Sequence, residues 1–344
     1  MVESEVFDKI MPMEEAVKKF VRDGDLLSIA STGTPSPYAA IHEIVRQKKR
    51  NLTLLQAGSG QETEILVWTG CAKRFIASYQ ARVMAGERAF DRGLRKHKVE
   101  VEEFTNYTVT AMQMAGALGL PCFPAPLSLV CSDIYRKRTF MGENKIVVMD
   151  NPFKPGEKMA LLPSIIADVS VVHVQRVDKY GNAQAWGGLA STKWGALCGR
   201  KIIVSAEEMV EHEVVKFSPN YTIIPSYKTS AIVIEPWGAH ATDLTGYYDL
   251  DMPFGMLYYI SSIGGDESFQ AWLDEWVYGV SNRTEYLKHY SEKFGPKALD
   301  RLRVKYRPSS EVNYGGSYQT YREMLGITDE MMEKSPDLFE IEVK

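Results

Sequence analysis

The chain predicts an α/β fold: an open, mostly parallel sheet with helices on both faces, followed by a helical C-terminal part. Three observations carry this. Short strand-like runs alternate with helical runs from residue 13 to residue 118. Gly-bearing turns punctuate the strand ends near residues 31–33 and 58–60. With 344 residues, 45% of them hydrophobic and 24% charged, the chain can bury one large core or two smaller ones.

Residues 13–22 read as an amphipathic helix, with Ala16, Val17, Phe20 and Val21 on one side and Glu14, Glu15, Lys18 and Arg22 on the other; Asp23-Gly24 stops it. Residues 26–30 form a strand, and the loop 31–37 opens a helix over 38–47. The cluster Lys48-Lys49-Arg50 closes that helix and complements its dipole. Next come a strand over 52–56, the turn Gly58-Ser59-Gly60 and a helix to about Thr69. Strand 74–79, helix 87–96, strand 99–104 and helix 105–118 follow. Helical crossovers of this length join parallel strands, and ligands then gather at the strands' C-terminal ends.

Past Pro121 the chain is richer in Pro and irregular structure, with strand-like runs at 145–149, 169–177, 201–205 and 231–234. From Asp266 it turns helical, and Phe269, Trp272, Leu273, Trp276 and Val277 make a stripe that reads as core or subunit contact rather than a cofactor box. No repeat or linker is visible. The expected division is an α/β domain over 1–265 and a helical extension over 266–344, packed on the same core or on a partner. The acidic, Met-rich stretch 310–344 is expected to drape over one or the other.

A net charge of −4, with no longer basic block than Lys48-Lys49-Arg50, argues against nucleic acid and anionic membranes as partners. Cys71, Cys122, Cys131 and Cys198 lie far apart, as in a reduced compartment. The first 20 residues lack a signal-peptide layout, and no apolar run reaches a membrane span of roughly 20 residues, so the cytoplasm is expected. The six histidines make no metal-ligand spacing, so no metal site is expected, and His173 reads as a buried, hydrogen-bonded strand residue.

Candidate site residues lie at the strand ends. Ser31 and Gly33 follow the first strand, where a turn can aim backbone N–H groups at an anion or simply connect strand to helix. Gly58 and Ser59 follow the second. A dinucleotide site there would need Gly-x-Gly-x-x-Gly and an acid at the end of the next strand, which instead closes with Ser78-Tyr79. Ser78 has no Gly-x-Ser-x-Gly elbow, so it reads as a substrate contact or a satisfied strand-end hydroxyl rather than a nucleophile. In Val99-Glu100-Val101-Glu102-Glu103 the two-residue period puts Glu103 at the end of the apolar face of Val99 and Val101. It reads as either an acidic residue serving the next helix or a catalytic acid.

Three segments carry a family resemblance: residues 151–158, Asn-Pro-Phe-Lys-Pro-Gly-Glu-Lys; the later Trp186-Gly187-Gly188; and Trp237-Gly238-Ala239-His240 with Gly246-Tyr247-Tyr248-Asp249-Leu250-Asp251. In order and spacing they resemble the α subunit of family I CoA-transferases, from about residue 13 to about 310. The chain departs from the family at Ala30-Ser31, where a Gly-Gly-Phe-like loop is usual. The resemblance implies an (αβ)n heteromer in which a β subunit of similar fold supplies a glutamate nucleophile. Coenzyme A is then a substrate, exchanged between acyl-CoA and a carboxylic acid such as a small diacid, and no cofactor is bound permanently. The α chain would shape the acyl pocket, with Ser31, Gly33, Gly58, Ser59 and Ser78 as its candidate residues. Two alternatives stand beside this: an acyl-CoA hydrolase of the ring-opening type using Glu103, and a non-catalytic scaffold subunit. The Trp237 loop itself reads as one braced by aromatic rings.

Overall fold

Strand and helix alternate as expected through the first third of the computed structural model, which describes residues 9–81 and 85–304. The order is α1 (Met13–Phe20), β1 (Leu26–Ile29), α2 (Tyr38–Arg46), β2 (Leu52–Ser59), α3 (Gln61–Trp68), β3 (Ala72–Gln80), α4 (Ala89–His97), β4 (Glu100–Glu103) and α5 (Asn106–Leu118). An excursion follows through β5 (Cys122–Ala125), α6 (Asp133–Arg136), β6 (Val147–Asp150) and β7 (Lys158–Pro163). The chain returns in β8 (Ala167–Asp178), β9 (Ala183–Gln184), α7 (Thr192–Leu197), β10 (Gly199–Val210), α8 (His212–Phe217), β11 (Thr222–Ile224) and β12 (Thr229–Ile234). It closes with α9 (Met252–Ile263), α10 (Asp266–Leu273), a π-helical turn, α11 (Arg283–Phe294) and α12 (Ala298–Leu302).

Neighbours in the order β4-β3-β2-β1-β8-β10-β12 all pair in parallel. The short β9 and β11 add antiparallel at the far end of β8, and β5-β7-β6 make a separate antiparallel sheet. Side chains alternate between two cores. On β2, Leu52 and Leu54 join α1–α4, whereas Leu55 and Ala57 join α5 and the small sheet. Val169 and Val171 of β8 lie in the first core, and Val172 and Val174 in a third cluster beside β10. This two-sided burial is why β2 and β8 read as almost unbroken apolar runs rather than as polar–apolar alternation. Each fully buried Leu or Val adds about 1.5–3 kcal/mol over an exposed one, so the sheet's two faces dominate the core.

The helical C-terminal part packs on the first core: Phe254, Tyr258, Phe269, Trp272, Leu273, Trp276 and Val277 share a cluster with Leu27 and Leu54. The Phe269–Val277 stripe is therefore core. Helix begins earlier than the sequence suggests, at Met252, because Asp251 caps it by accepting from the Phe254 N–H. Gly58 and Ser59 belong to β2 and not to a turn; the strand continues because both are buried and paired with Tyr79 and Gln80 of β3. The stretch 310–344 lies outside the described residues. Among the described residues no helix is long and apolar enough to cross a membrane.

The excursion is tied to β4 by a buried ion pair, Lys145 Nζ to Glu102 Oε1 at 2.8 Å, each side chain 1% exposed. Lys145 precedes the strand expected at 145–149, which starts only at Val147. Lys145 also donates to Lys137 O, while Glu102 accepts from Thr139 N, Thr139 Oγ1 and Met141 N. Burial on its own would raise the Glu102 pKa, but Lys145, Met141 and Thr139 together hold it below the ordinary range. Its stabilising contribution is therefore present above the unfolded pKa and lost as pH falls through the folded one. Lys145→Met is expected to cost about 3–5 kcal/mol in denaturant unfolding at neutral pH, because it strands a buried charge, and the deficit should shrink in acid. A loss within about 1 kcal/mol, the range of exposed pairs, would show that the pair does not staple the excursion.

Candidate active site

The C-terminal ends of β1 and β2 face the N-terminal half of α5 across a cavity of about 330 Å3. Helix α5 supplies its floor with Asn106, Tyr107, Thr110, Ala111 and Met114, which recur at helical spacing on one face. Thr32 after β1, Ala57 on β2, Phe123 on β5 and the Ala190-Ser191 pair before α7 complete the wall. Most of the surface is apolar, and its polar atoms are hydroxyls and an amide.

Local backbone chemistry sets these positions. A Cβ on Gly58 would stand 2.8 Å from Tyr79 OH and 2.9 Å from Thr32 Cγ2, so glycine lets Thr32 close onto β2 through an isolated parallel bridge. Gly187 sits at φ +94, and a Cβ there would meet Thr245 Oγ1 at 2.3 Å, so only glycine makes the turn that brings Ser191 in. Thr32 Oγ1 and Ser191 Oγ are hydrogen-bonded to each other, and the Ser191 N–H donates to Thr32 Oγ1 at 3.3 Å. Thr105 caps α5, accepting from Thr108 N at 3.0 Å, so the positive end of a 13-residue helix faces the cavity at Asn106.

Residues 10–235 match the family model of coenzyme A transferase. The α subunit of the glutaconate CoA-transferase of Acidaminococcus fermentans is 31% identical, covering 86% of this chain and 95% of the relative. The crystal structure of that enzyme superposes with a TM-score of 0.77, over 86% of this chain and 96% of the matching one. The α subunit of the 3-oxoadipate CoA-transferase of Pseudomonas knackmussii is 30% identical over 83% of this chain and 99% of its own. A cholesterol ring-cleaving hydrolase subunit of Rhodococcus jostii is 26% identical, over 92% of this chain and 97% of its own. The chain belongs to the coenzyme A transferase family.

In this transferase-family chain, none of the five residues marked for the acyl pocket lines the cavity; their neighbours Thr32 and Ala57 do. Ser31 is buried, with Oγ 3.4 Å from Ser36 Oγ. Gly33 lies at φ +93 and contacts nothing on its Cβ side. Ser59 is buried and lies within hydrogen-bond distance of Tyr79 O and Gln80 Oε1. Ser78 Oγ rests between Ala57 O and Asn106 Oδ1, so it is a satisfied strand-end hydroxyl that positions Asn106.

Glu103 likewise stands outside the cavity wall. Val99 and Val101 do pack on the core, but Glu103 ends a four-residue strand and its side chain is exposed. The buried acid is Glu102, on the opposite face, neutralised by Lys145. Sequence reasoning did not mark Ser191 or Asn106. The available signals were the paired glycines at 187–188 ahead of Ser191, and the first-turn place of Asn106 after a strand.

The loop carrying Thr32 rests on residues 236–242. Ser36 N donates to Thr242 Oγ1 at 3.0 Å, and Ala39 N to Gly238 O at 3.0 Å. The supporting loop is braced by rings, as its sequence suggested, with Trp237 stacked on Tyr248 at 4.3 Å. His240 is buried between Tyr286 OH at 2.8 Å and Asp251 Oδ2 at 3.0 Å. His173 is likewise buried and bonded, to Ser205 Oγ and Glu207 Oε1.

Burial pulls the His240 pKa down to about 4, against the opposing pull of Asp251. The folded chain thus refuses a proton that the unfolded chain takes near pH 6.5, and stability falls as pH drops from there towards 4. Denaturant unfolding at pH 7 and pH 5 is expected to show wild type losing about 2 kcal/mol from this group, with the loss reduced in His240→Gln. An equal pH loss in both would remove His240 as its source.

Proposed function

We propose that this chain is the α half of a heteromeric, cytoplasmic CoA-transferase, and that the strand-end cavity is its share of the acyl pocket. One observation carries the reading: the cavity offers hydroxyls, an amide and a helix N-terminus, but its wall has no acid, histidine, cysteine or lysine among the described residues. Neither Thr32 nor Ser191 has a base beside it in that wall, so neither is activated as a nucleophile. The wall suits recognition and oxyanion stabilisation, and the reacting carboxylate comes from elsewhere.

A partner β subunit of similar fold supplies that carboxylate as a glutamate. It attacks the acyl-CoA thioester, forming a mixed anhydride and releasing CoA thiolate. The thiolate attacks the glutamyl carbonyl of the anhydride, leaving an enzyme thioester and the first free acid. An incoming carboxylate and the same thiolate then reverse the two steps. Coenzyme A is a substrate here, and no resident cofactor is needed. Thr32, Ser191 and Asn106 donate to the oxyanions, and the volume of about 330 Å3, at the low end for small-molecule sites, favours a compact acyl group such as a small diacid. Four free cysteines agree with a reducing compartment.

Co-expression with the partner, incubation with acyl-CoA and hydroxylamine or borohydride trapping should place a covalent adduct on the partner's glutamate. Thr32→Val and Ser191→Ala are each expected to lower kcat about 100–1000-fold with little change in KM, as for loss of one oxyanion donor. Glu103→Ala should leave turnover unchanged. Turnover that collapses in Glu103→Ala, with no trapped adduct, would replace transfer by hydrolysis. Wild-type rates for both hydroxyl variants would remove the cavity from the mechanism.

A further inference from the structure

A second cavity, of about 570 Å3, opens between α2, the C-terminal end of β12, the segment entering α1 and the start of α11. It shares no lining residue with the cavity at the strand ends. Met11, Met13, Val233 and Ile234 give it an apolar side, and His42 and Arg283 line its polar side. These two residues are only 4% and 3% exposed, yet His42 Nε2 and Arg283 Nη1 have no hydrogen-bond partner.

Arg283 is the incompletely partnered element. Its Nε and Nη2 donate to the carbonyls of Trp237 and His240 and its guanidinium lies 3.9 Å over the Tyr286 ring, while the Glu235 carboxylate acts on it from beyond ion-pair distance. Arg46, on the same wall, is by contrast neutralised by Glu43 at 2.8 Å. A buried guanidinium with one unpartnered N–H edge and no carboxylate in direct contact is a costly arrangement that a bound anion would relieve. The first turn of the 12-residue α11 adds positive potential at the same end; Asn282 serves Glu285 N, and Thr284 is exposed at the rim.

We propose that this cavity is a binding site for a small organic monocarboxylate, held by Arg283 and the start of α11, with its apolar body against Met11, Met13, Val233 and Ile234. The apolar side selects an organic acid over an inorganic anion. Glu235 and Glu14, also in the wall, disfavour a second negative charge on the ligand. The site is independent of the reading given to the strand-end cavity.

Calorimetric titration of the full chain, co-expressed with its partner, with butyrate as probe, tests the site. Saturable binding is expected in wild type and in Met114→Trp, which obstructs the strand-end cavity. Arg283→Met and Thr284→Trp should weaken it about tenfold or more. Thr284 is exposed, so Thr284→Trp is expected to melt like wild type and keeps the test decisive even if Arg283→Met does not fold. No saturable heat in wild type, binding unchanged by Thr284→Trp, or binding abolished by Met114→Trp would overturn the proposal. So would inorganic phosphate binding as tightly as butyrate.

Discussion

Burial of both faces of the parallel sheet is the constraint on which everything else in this chain depends. Alternate residues of β2, β3 and β8 enter cores on opposite sides, so no face remains for a ligand. Only the strand ends can hold one, and there the strands differ in length. β1 stops at Ile29, opposite Val171, whereas β8 runs on to Asp178 beside β10. That stagger leaves a step, and the loops carrying Thr32 and Ser191 fill it. Gln175, on the extended part of β8, holds Trp186 O and Thr245 O from the side, fixing the turn that delivers Ser191.

Charges are buried as well, and their placement separates structure from chemistry. Glu64 pairs with Arg88 beneath Tyr259 and Ser262, tying α3 and the start of α4 to α9. Glu102 and Lys145 tie the excursion to β4, and Glu62 accepts from Gln56 Nε2 and Gly60 N to fix the turn into α3. Hydrophobic residues in these places would often serve stability as well. What a charged pair adds is a specific partner, so each connection has one seat on the sheet. None of these groups enters the strand-end cavity.

The fold was legible because two-sided burial writes itself as apolar runs and crossover helices write themselves at 3.6-residue spacing. The candidate cavity at the strand ends was legible to within one residue and no closer. Glycine signals at 33 and 58 mark where the backbone turns or approaches closely, but the side chains that face the cavity belong to Thr32 and Ala57, and a period of two makes a one-residue slip a change of face. Glu103 shows the same limit differently. Its face was right, but burial at a strand end depends on what covers it, and the cover over β4 comes from residues 139–145, folded back onto Glu102. Ser191 stands opposite Thr32 although 159 positions separate them, a meeting that only the β1–β8 pairing creates.

The character of the cavity wall explains why the reaction would be divided between two chains. Thioesters and anhydrides are lost to water unless the site closes, and a cavity lined by the half-exposed Tyr107 is one that a partner surface would cover. A wall built from hydroxyls, an amide and a helix end keeps its dipoles fixed whatever the pH, because none of these groups titrates near neutrality. It can stabilise each tetrahedral oxyanion along the sequence without being consumed or protonated between steps. The reactive carboxylate has the opposite requirement, since it must become anhydride, thioester and free anion in turn. Placing it on the partner lets it change form against a wall that does not.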